Sequence, residues 1–234
     1  EIADALETFF RDGERLSGRR ALVTSGPTLE AIDPVRYITN RSSGKQGHAI
    51  ASALAQLGTE TTLVSGPTRE PDPTGVRVIH VESARQMLKA CEGTLPVDVA
   101  VFAAAVSDWR AAMEASGKIK KRPGETTTTL DLVENPDILA TISSAGNRRP
   151  QLVVGFAAET DDVIDNAARK LEAKGCDWIV ANDISKAAGT FGGVANTVHL
   201  ISRDGVENWP RLSKATVGER LAKRIAQRLT EAND

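Results

Sequence analysis

The chain has 234 residues, room for one large α/β domain or two small ones; 41% hydrophobic residues with only 4% aromatics imply a sizeable but aliphatic core. A formal net charge of −2, with no basic block longer than Lys120-Lys121-Arg122, argues against a nucleic-acid surface while leaving room for a local site for a small phosphorylated ligand. Cys91 and Cys176 lack metal or redox spacing and fit a reducing cytoplasm, and no apolar run approaches the about 20 residues of a membrane helix, nor is there a signal-peptide pattern.

Residues 1–16 read as an amphipathic helix with Ile2, Leu6, Phe9 and Phe10 near one face. A strand is expected at 21–24, then a long loop to about residue 45, a helix over 46–57 ended by Gly58, and a strand at 61–65. So long a loop inside a β-loop-α-β unit points to function. A strand at 76–81 and a helix at 83–91 precede 97–102, a nearly continuous apolar run suited to a strand buried on both faces. Residues 107–129 are polar and aperiodic and read as a mobile flap or arm. A helix at 135–144, a buried strand at 152–156, a helix at 161–174 and a strand at 178–182 follow. Residues 198–201 form an edge-proximal strand, and the last helix carries Val217, Leu221, Ile225 and Leu229 at i, i+4 spacing. The alternation predicts a Rossmann-like three-layer α/β sandwich, one domain spanning 1–234, with a mostly parallel sheet, helices on both faces and an arm.

Four constellations could carry chemistry. Ser25-Gly26-Pro27-Thr28, Asp33-Pro34-Val35-Arg36 and Asn40-Arg41-Ser42-Ser43-Gly44-Lys45-Gln46-Gly47 lie where the first strand meets a helix N-terminus, a place that suits an anion. The run is neither a Walker A loop, since Gln46 follows Lys45, nor G-x-G-x-x-G; the plain alternative is a glycine-rich connector. Ala103-Ala104-Ala105-Val106-Ser107-Asp108 ends the buried central strand, where small residues admit a flat ligand and a carboxylate can meet a ligand or metal; tight packing and a helix cap explain it equally. Lys118-Ile119-Lys120-Lys121 is either a solvated face or a lid over a polyphosphate. Lys170 and Lys174, one turn apart, repel each other unless an anion sits nearby; exposure to solvent is the simpler reading. His48, His80 and His199 show no metal spacing, and no G-x-S-x-G elbow is present.

In combination these motifs say more than any one of them. With Asn135-Pro136-Asp137-Ile138 and Gly155-Phe156-Ala157-Ala158-Glu159-Thr160 they occur in the order seen in phosphopantothenoylcysteine synthetases, and from about residue 17 to the C-terminus the chain resembles that family. It departs at Ser107 and Trp109, where Ala and Tyr are expected, and at Leu29, where Arg is common. The resemblance implies a CTP-dependent ligation in coenzyme A biosynthesis: 4'-phosphopantothenate attacks CTP to give an acyl-cytidylate and pyrophosphate, and cysteine then displaces CMP. It assigns catalysis to Asn40 and Lys118. It assigns nucleotide binding to Phe102, Ala103, Ala104, Asp108, Lys118, Pro136, Asp137, Ile138, Leu139, Phe156, Lys170 and Lys174, and substrate or phosphate binding to Gly26, Arg36, Ser42, Gly44 and Lys45. It further implies Mg²⁺ with the CTP, no flavin in this domain, and a homodimer with the arm and the Asn40 loop near its interface. Bacterial members are usually fused to a flavin-dependent decarboxylase half, and a start at Glu1 rather than Met fits a piece cut from such a protein, with 1–16 as linker.

Two other readings compete. An NAD(P)-dependent reductase would need the missing glycine fingerprint, an acidic residue after Val64-Ser65, and a Tyr-x-x-x-Lys pair, whereas Tyr37, the only tyrosine, has Arg41 four residues on. A non-catalytic nucleotide-binding or assembly domain would bind CTP without turnover.

Overall fold

The computed structural model describes residues 15–121, 123–124, 126–183 and 195–231. The helix expected at 1–16 therefore lies outside the described residues, save for a turn at 15–18 that buries Leu16 and bonds its N–H to the Leu57 carbonyl.

One sheet organises the chain. Its parallel part comprises β1 (Arg20–Ser25), β4 (Glu60–Ser65), β5 (Arg77–His80), β6 (Val99–Phe102), β9 (Leu152–Glu159) and β10 (Trp178–Asp183). Antiparallel β11 (Ala195–Ser202) and β12 (Gly205–Ser213) extend one edge, giving the order β12-β11-β10-β9-β6-β1-β4-β5. β1, β4 and β5 build outward one way; β6, β9 and β10 build outward the other. The reversal lies between β1 and β6, and the crevice beyond their C-terminal ends is where open α/β sheets bind ligands.

Side chains alternate along each strand, so one sheet feeds two cores. Ala21, Val23, Val99, Val101 and Val154 face α1 (Lys45–Gln56) and α5 (Lys214–Glu231). Leu22, Ala100, Phe102 and Val153 face α2 (Ala84–Thr94), α3 (Ile138–Ser143) and α4 (Val163–Lys174). The predicted α5 stripe is the buried one: Val217, Leu221, Ile225 and Leu229 are all at most 2% exposed. Burying each such side chain is worth about 1.5–3 kcal/mol. Among the described residues no helix is long and apolar enough to cross a membrane.

Two strand pairs go beyond expectation, and a third supplies the partner that the sequence leaves open. The long loop contains a hairpin, β2 (Leu29–Ala31) with β3 (Tyr37–Thr39). The arm is not wholly irregular: β7 (Trp109–Ala111) pairs with β8 (Leu132–Glu134) at its base. The partner of residues 198–201 beyond β10 is β12. Helix α3 begins at Ile138 rather than 135, because Asp137 caps it by accepting from the Ala140 N–H and the Asn135 N–H is spent on the Asp108 carbonyl.

Helix α1 reaches the end of β1 only because residue 47 is glycine. A Cβ there would stand 2.5 Å from both Cβ and Oγ of Ser25 and 2.9 Å from the Thr24 carbonyl oxygen. Gly47→Ala must push the helix off the strand, and overpacking of this kind costs about 1–3 kcal/mol. Calorimetry should show Tm falling by about 2–4 °C for each kcal/mol; an unchanged Tm would contradict the close approach.

Candidate functional site

A cavity of about 530 Å³ opens beyond the C-terminal ends of β1, β6 and β9. Phe102 and Ala104 form one wall, Pro136 to Leu139 a second, and Phe156, Lys170 and Lys174 a third. The first wall is fastened to β1: the Ala104 N–H donates to Thr24 Oγ1 at 3.2 Å, and the Ser107 N–H to Thr28 Oγ1 at 3.0 Å. The second is tied to the first by Asn135, whose N–H and Nδ2 donate to the carbonyls of Asp108 (2.8 Å) and Ser107 (2.9 Å). Gly155 leaves space for Leu139 over β9, where a Cβ would come within 2.6 Å of Leu139 Cδ2.

The lysines of α4 are not simply solvated, contrary to the simpler reading of the sequence. Lys170 Nζ donates to the Phe156 carbonyl at 2.9 Å, and Lys174 pairs with Asp137. Burial lowers the Lys170 pKa, with Glu159, Asp137 and Asp108 pulling it back up and Lys174 lowering it further. Burial raises the Asp137 carboxyl, but the Ala140 N–H and the two lysines outweigh it and leave it below the ordinary carboxylate range. Two lysines and three carboxylates, Asp108, Glu134 and Asp137, set among apolar walls make a pocket suited to a ligand with charged groups and a flat, uncharged part.

The loop before α1 forms a second group beside this cavity. Asn40 joins the two, its Nδ2 donating to the carbonyl of Val106 at 3.0 Å and reaching that of Ala105 at 3.4 Å. Gly26 and Gly44 both have left-handed φ, 75° and 77°. Gly44 caps α1 without a side-chain bond, its carbonyl accepting from Ser25 Oγ at 2.8 Å. Ser42 Oγ lies 3.4 Å from the Gly44 N–H, and Lys45 is exposed in the first turn of α1. Arg36 faces Asp33 and the carbonyl of Ile119.

Of the residues singled out for the nucleotide, Phe102, Ala104, Asp108, Pro136, Asp137, Ile138, Leu139, Phe156, Lys170 and Lys174 line the cavity. Ala103 points to the opposite face of the sheet and packs on the α1/α5 core, as strand alternation requires. Lys118 stands exposed on the arm, outside the cavity lining. Thr24, Trp109, Glu134 and Asn135 also line it and were not assigned from sequence. Asn135 had a signal, its place in Asn135-Pro136-Asp137-Ile138; Glu134 had none. Both cysteines are free and buried, and burial pushes the Cys91 thiol up to about 12 and that of Cys176 up to about 11, which favours the protonated thiol.

Fold and site together define a doubly wound α/β protein with a ligand-sized pocket at its topological switch point. The family model described as the DNA/pantothenate metabolism flavoprotein C-terminal domain matches residues 16–229, and the chain belongs to this family. It is 45% identical over 215 residues to the coenzyme A biosynthesis bifunctional protein CoaBC of Vibrio cholerae, covering 92% of this chain and 53% of that one. To the CoaBC protein of Escherichia coli it is 40% identical over 234 residues, 99% of this chain and 57% of the other. The chain thus spans about half the length of these curated relatives. The crystal structure of a CoaBC C-terminal domain superposes with a TM-score of 0.77 at 38% identity, covering 93% of this chain and 99% of that one. A complex of the Cab2 mutant H337A with phosphopantothenate-cysteine shares the fold, with a TM-score of 0.71 at 16% identity over 100% of this chain and 92% of that one.

Proposed function

We propose that this chain is a CTP-dependent phosphopantothenate–cysteine ligase of coenzyme A biosynthesis. The observation that carries the reading is the cavity itself. Ten residues that the resemblance assigns to the nucleotide, drawn from four separate stretches of sequence, converge on it at the C-terminal ends of β6 and β9.

A carboxylate is a poor acyl donor until its oxygen belongs to a phosphate-type leaving group. In the first step a carboxylate oxygen of 4'-phosphopantothenate bonds to the α-phosphorus of CTP while the bond to the bridging oxygen breaks and pyrophosphate departs. In the second the amine of cysteine bonds to the acyl carbon, loses a proton, and expels CMP. Phe102, Ala104, Leu139 and Phe156 frame the cytidine, Asp108 meets its ribose or the metal region beside it, and Lys170 and Lys174 neutralise phosphate charge. Lys118, from the arm, meets the charge that grows on departing pyrophosphate. Asn40 orients the acyl-cytidylate for attack by cysteine. Ser42, Gly44 and Lys45 at the α1 N-terminus, with Gly26 after β1 and Arg36 from the hairpin, hold the phosphate of phosphopantothenate. Asp108 and Glu134 are the carboxylates that would hold a Mg²⁺ accompanying CTP, which would supply positive charge against the phosphates. Among the described residues no group of three His, Cys, Asp or Glu is placed to hold a metal unaided.

Turnover of CTP, 4'-phosphopantothenate and cysteine, followed as amide product by mass spectrometry, tests the reading. A folded chain that binds CTP and makes no amide would favour a non-catalytic nucleotide-binding domain.

The chain is also expected to dimerise. The hairpin β2–β3 and the ribbon β7–β8 touch each other, and they and the segments beside them expose Val35, Tyr37, Trp109, Met113 and Leu132, with Trp109 47% and Met113 83% accessible. Clustered apolar exposure of this kind marks an interface. Light scattering at micromolar concentration should give twice the chain mass, and Trp109→Glu should shift it toward the monomer. A monomeric native chain would refute the assignment.

A further inference from the structure

Asp33 sits in the turn between β2 and β3 with its side chain wholly buried. Its Oδ1 accepts from the N–H groups of Val35 and Arg36, each at 2.9 Å. Its Oδ2 accepts from Arg36 Nε at 3.0 Å, from Arg36 Nη2, and from the Ile119 N–H at 3.1 Å. Arg36 Nη2 donates in turn to the Ile119 carbonyl at 2.8 Å. Both backbone polar groups of Ile119, 86 residues from Asp33 in sequence, are therefore held by one carboxylate–guanidinium pair. That is the pairing a neighbouring strand would supply, here provided by two side chains. The Ala115 N–H adds a bond to the Ile32 carbonyl at 3.0 Å.

The position matters because Ile119 adjoins Lys118 and because the hairpin that carries the pair runs from β3 straight into Asn40. We propose that Asp33 is a positioning residue: with Arg36 it clamps the arm at Ile119, so that the hairpin holding Asn40 also sets where Lys118 stands. This rests on the role given above to Lys118. It makes the two half-reactions geometrically linked, since a single rigid element places the group for each. It also gives Arg36 work distinct from binding a phosphate, because two of its donors are committed to the clamp. The Arg36 guanidinium keeps the Asp33 carboxyl well below the usual carboxylate range despite its burial, so the clamp is charged at any physiological pH.

Asp33→Asn keeps the shape, and removes the charge and one acceptor. Hydrogen exchange over residues 115–121 should speed up by about tenfold or more, while that of the central sheet stays unchanged. Pyrophosphate release should fall about 10- to 100-fold in kcat with the KM for CTP moving less than about twofold, the mark of lost positioning rather than lost binding. In a Lys118→Gln background the same substitution should cost nothing further. Arg36→Lys, at a side chain 48% exposed and so tolerant of change, keeps the positive charge but loses the planar fork; it should release the arm in the same way. Unchanged exchange in both variants, or losses that multiply in the double mutant, would overturn the clamp. A Lys118→Gln protein that cytidylates normally would overturn the reading of the lysine on which the clamp's purpose rests, and the exchange data tell the two failures apart.

Discussion

Lys118→Gln is expected to slow acyl-cytidylate formation by on the order of 100-fold while weakening CTP binding far less. The substitution keeps most of the length of the side chain and removes its charge. On the proposed reading Lys170 and Lys174, which line the cavity, would meet CTP in the ground state, whereas Lys118 lies outside that lining. Lys118 would then add a charge brought up as negative charge accumulates on pyrophosphate, a contact realised mainly in the transition state. Losing one such electrostatic contact costs about 2.7–4 kcal/mol of barrier. Single-turnover pyrophosphate release measures the step directly, with CTP affinity taken from equilibrium titration. Near-normal cytidylation would return Lys118 to the solvated charge that its polar, aperiodic surroundings suggest on their own.

Asn40→Asp is expected to separate the two half-reactions. The Asn40 amide is anchored by Nδ2 donation to Val106 and Ala105, the strand extension that forms one wall of the cavity. A carboxylate cannot donate these bonds, and its charge would oppose both the two carbonyls and the phosphate of the acyl-cytidylate. Cytidylation, which the proposal assigns to the cavity and Lys118, should persist. Amide formation should fall by at least about 100-fold, the scale for removing one donor that stabilises a reacting oxyanion. Mass spectrometry should then find acyl-cytidylate accumulating on the enzyme. Amide formation at the native rate would sink the assignment.

The parallel sheet was legible because its strands are apolar runs long enough to read, such as Val97 to Phe102, and because helices of regular period separate them. The hairpin β2–β3 and the ribbon β7–β8 were not, because strands of three residues are too short for a period to emerge. Strand β12 escaped notice because its exposed stretch, with Glu207, Asn208, Pro210 and Arg211, reads as a loop; only its pairing with β11 makes it a strand. Among site residues, the periodicity of α4 placed Lys170 and Lys174 on the flank of the helix correctly but could not show what covers that flank. The loop carrying Asp137 does so, and it arrives from 33 or more residues earlier in the sequence. Ala103 is assigned with Phe102 and Ala104 by the resemblance, and the pleat of the strand, which sequence alone does not display, sends its side chain to the other face. The Asp33–Ile119 clamp had no sequence signal beyond the run Asp33-Pro34-Val35-Arg36, since its partner lies 86 residues away.

The most direct test of the central claim is pyrophosphate release with each of CTP, ATP, GTP and UTP, with and without 4'-phosphopantothenate and without cysteine. A cytidylating ligase should release pyrophosphate from CTP in marked preference to the other three nucleotides, and only when 4'-phosphopantothenate is present. Release without that carboxylate, no release from CTP, or an equal or greater rate with ATP would contradict it.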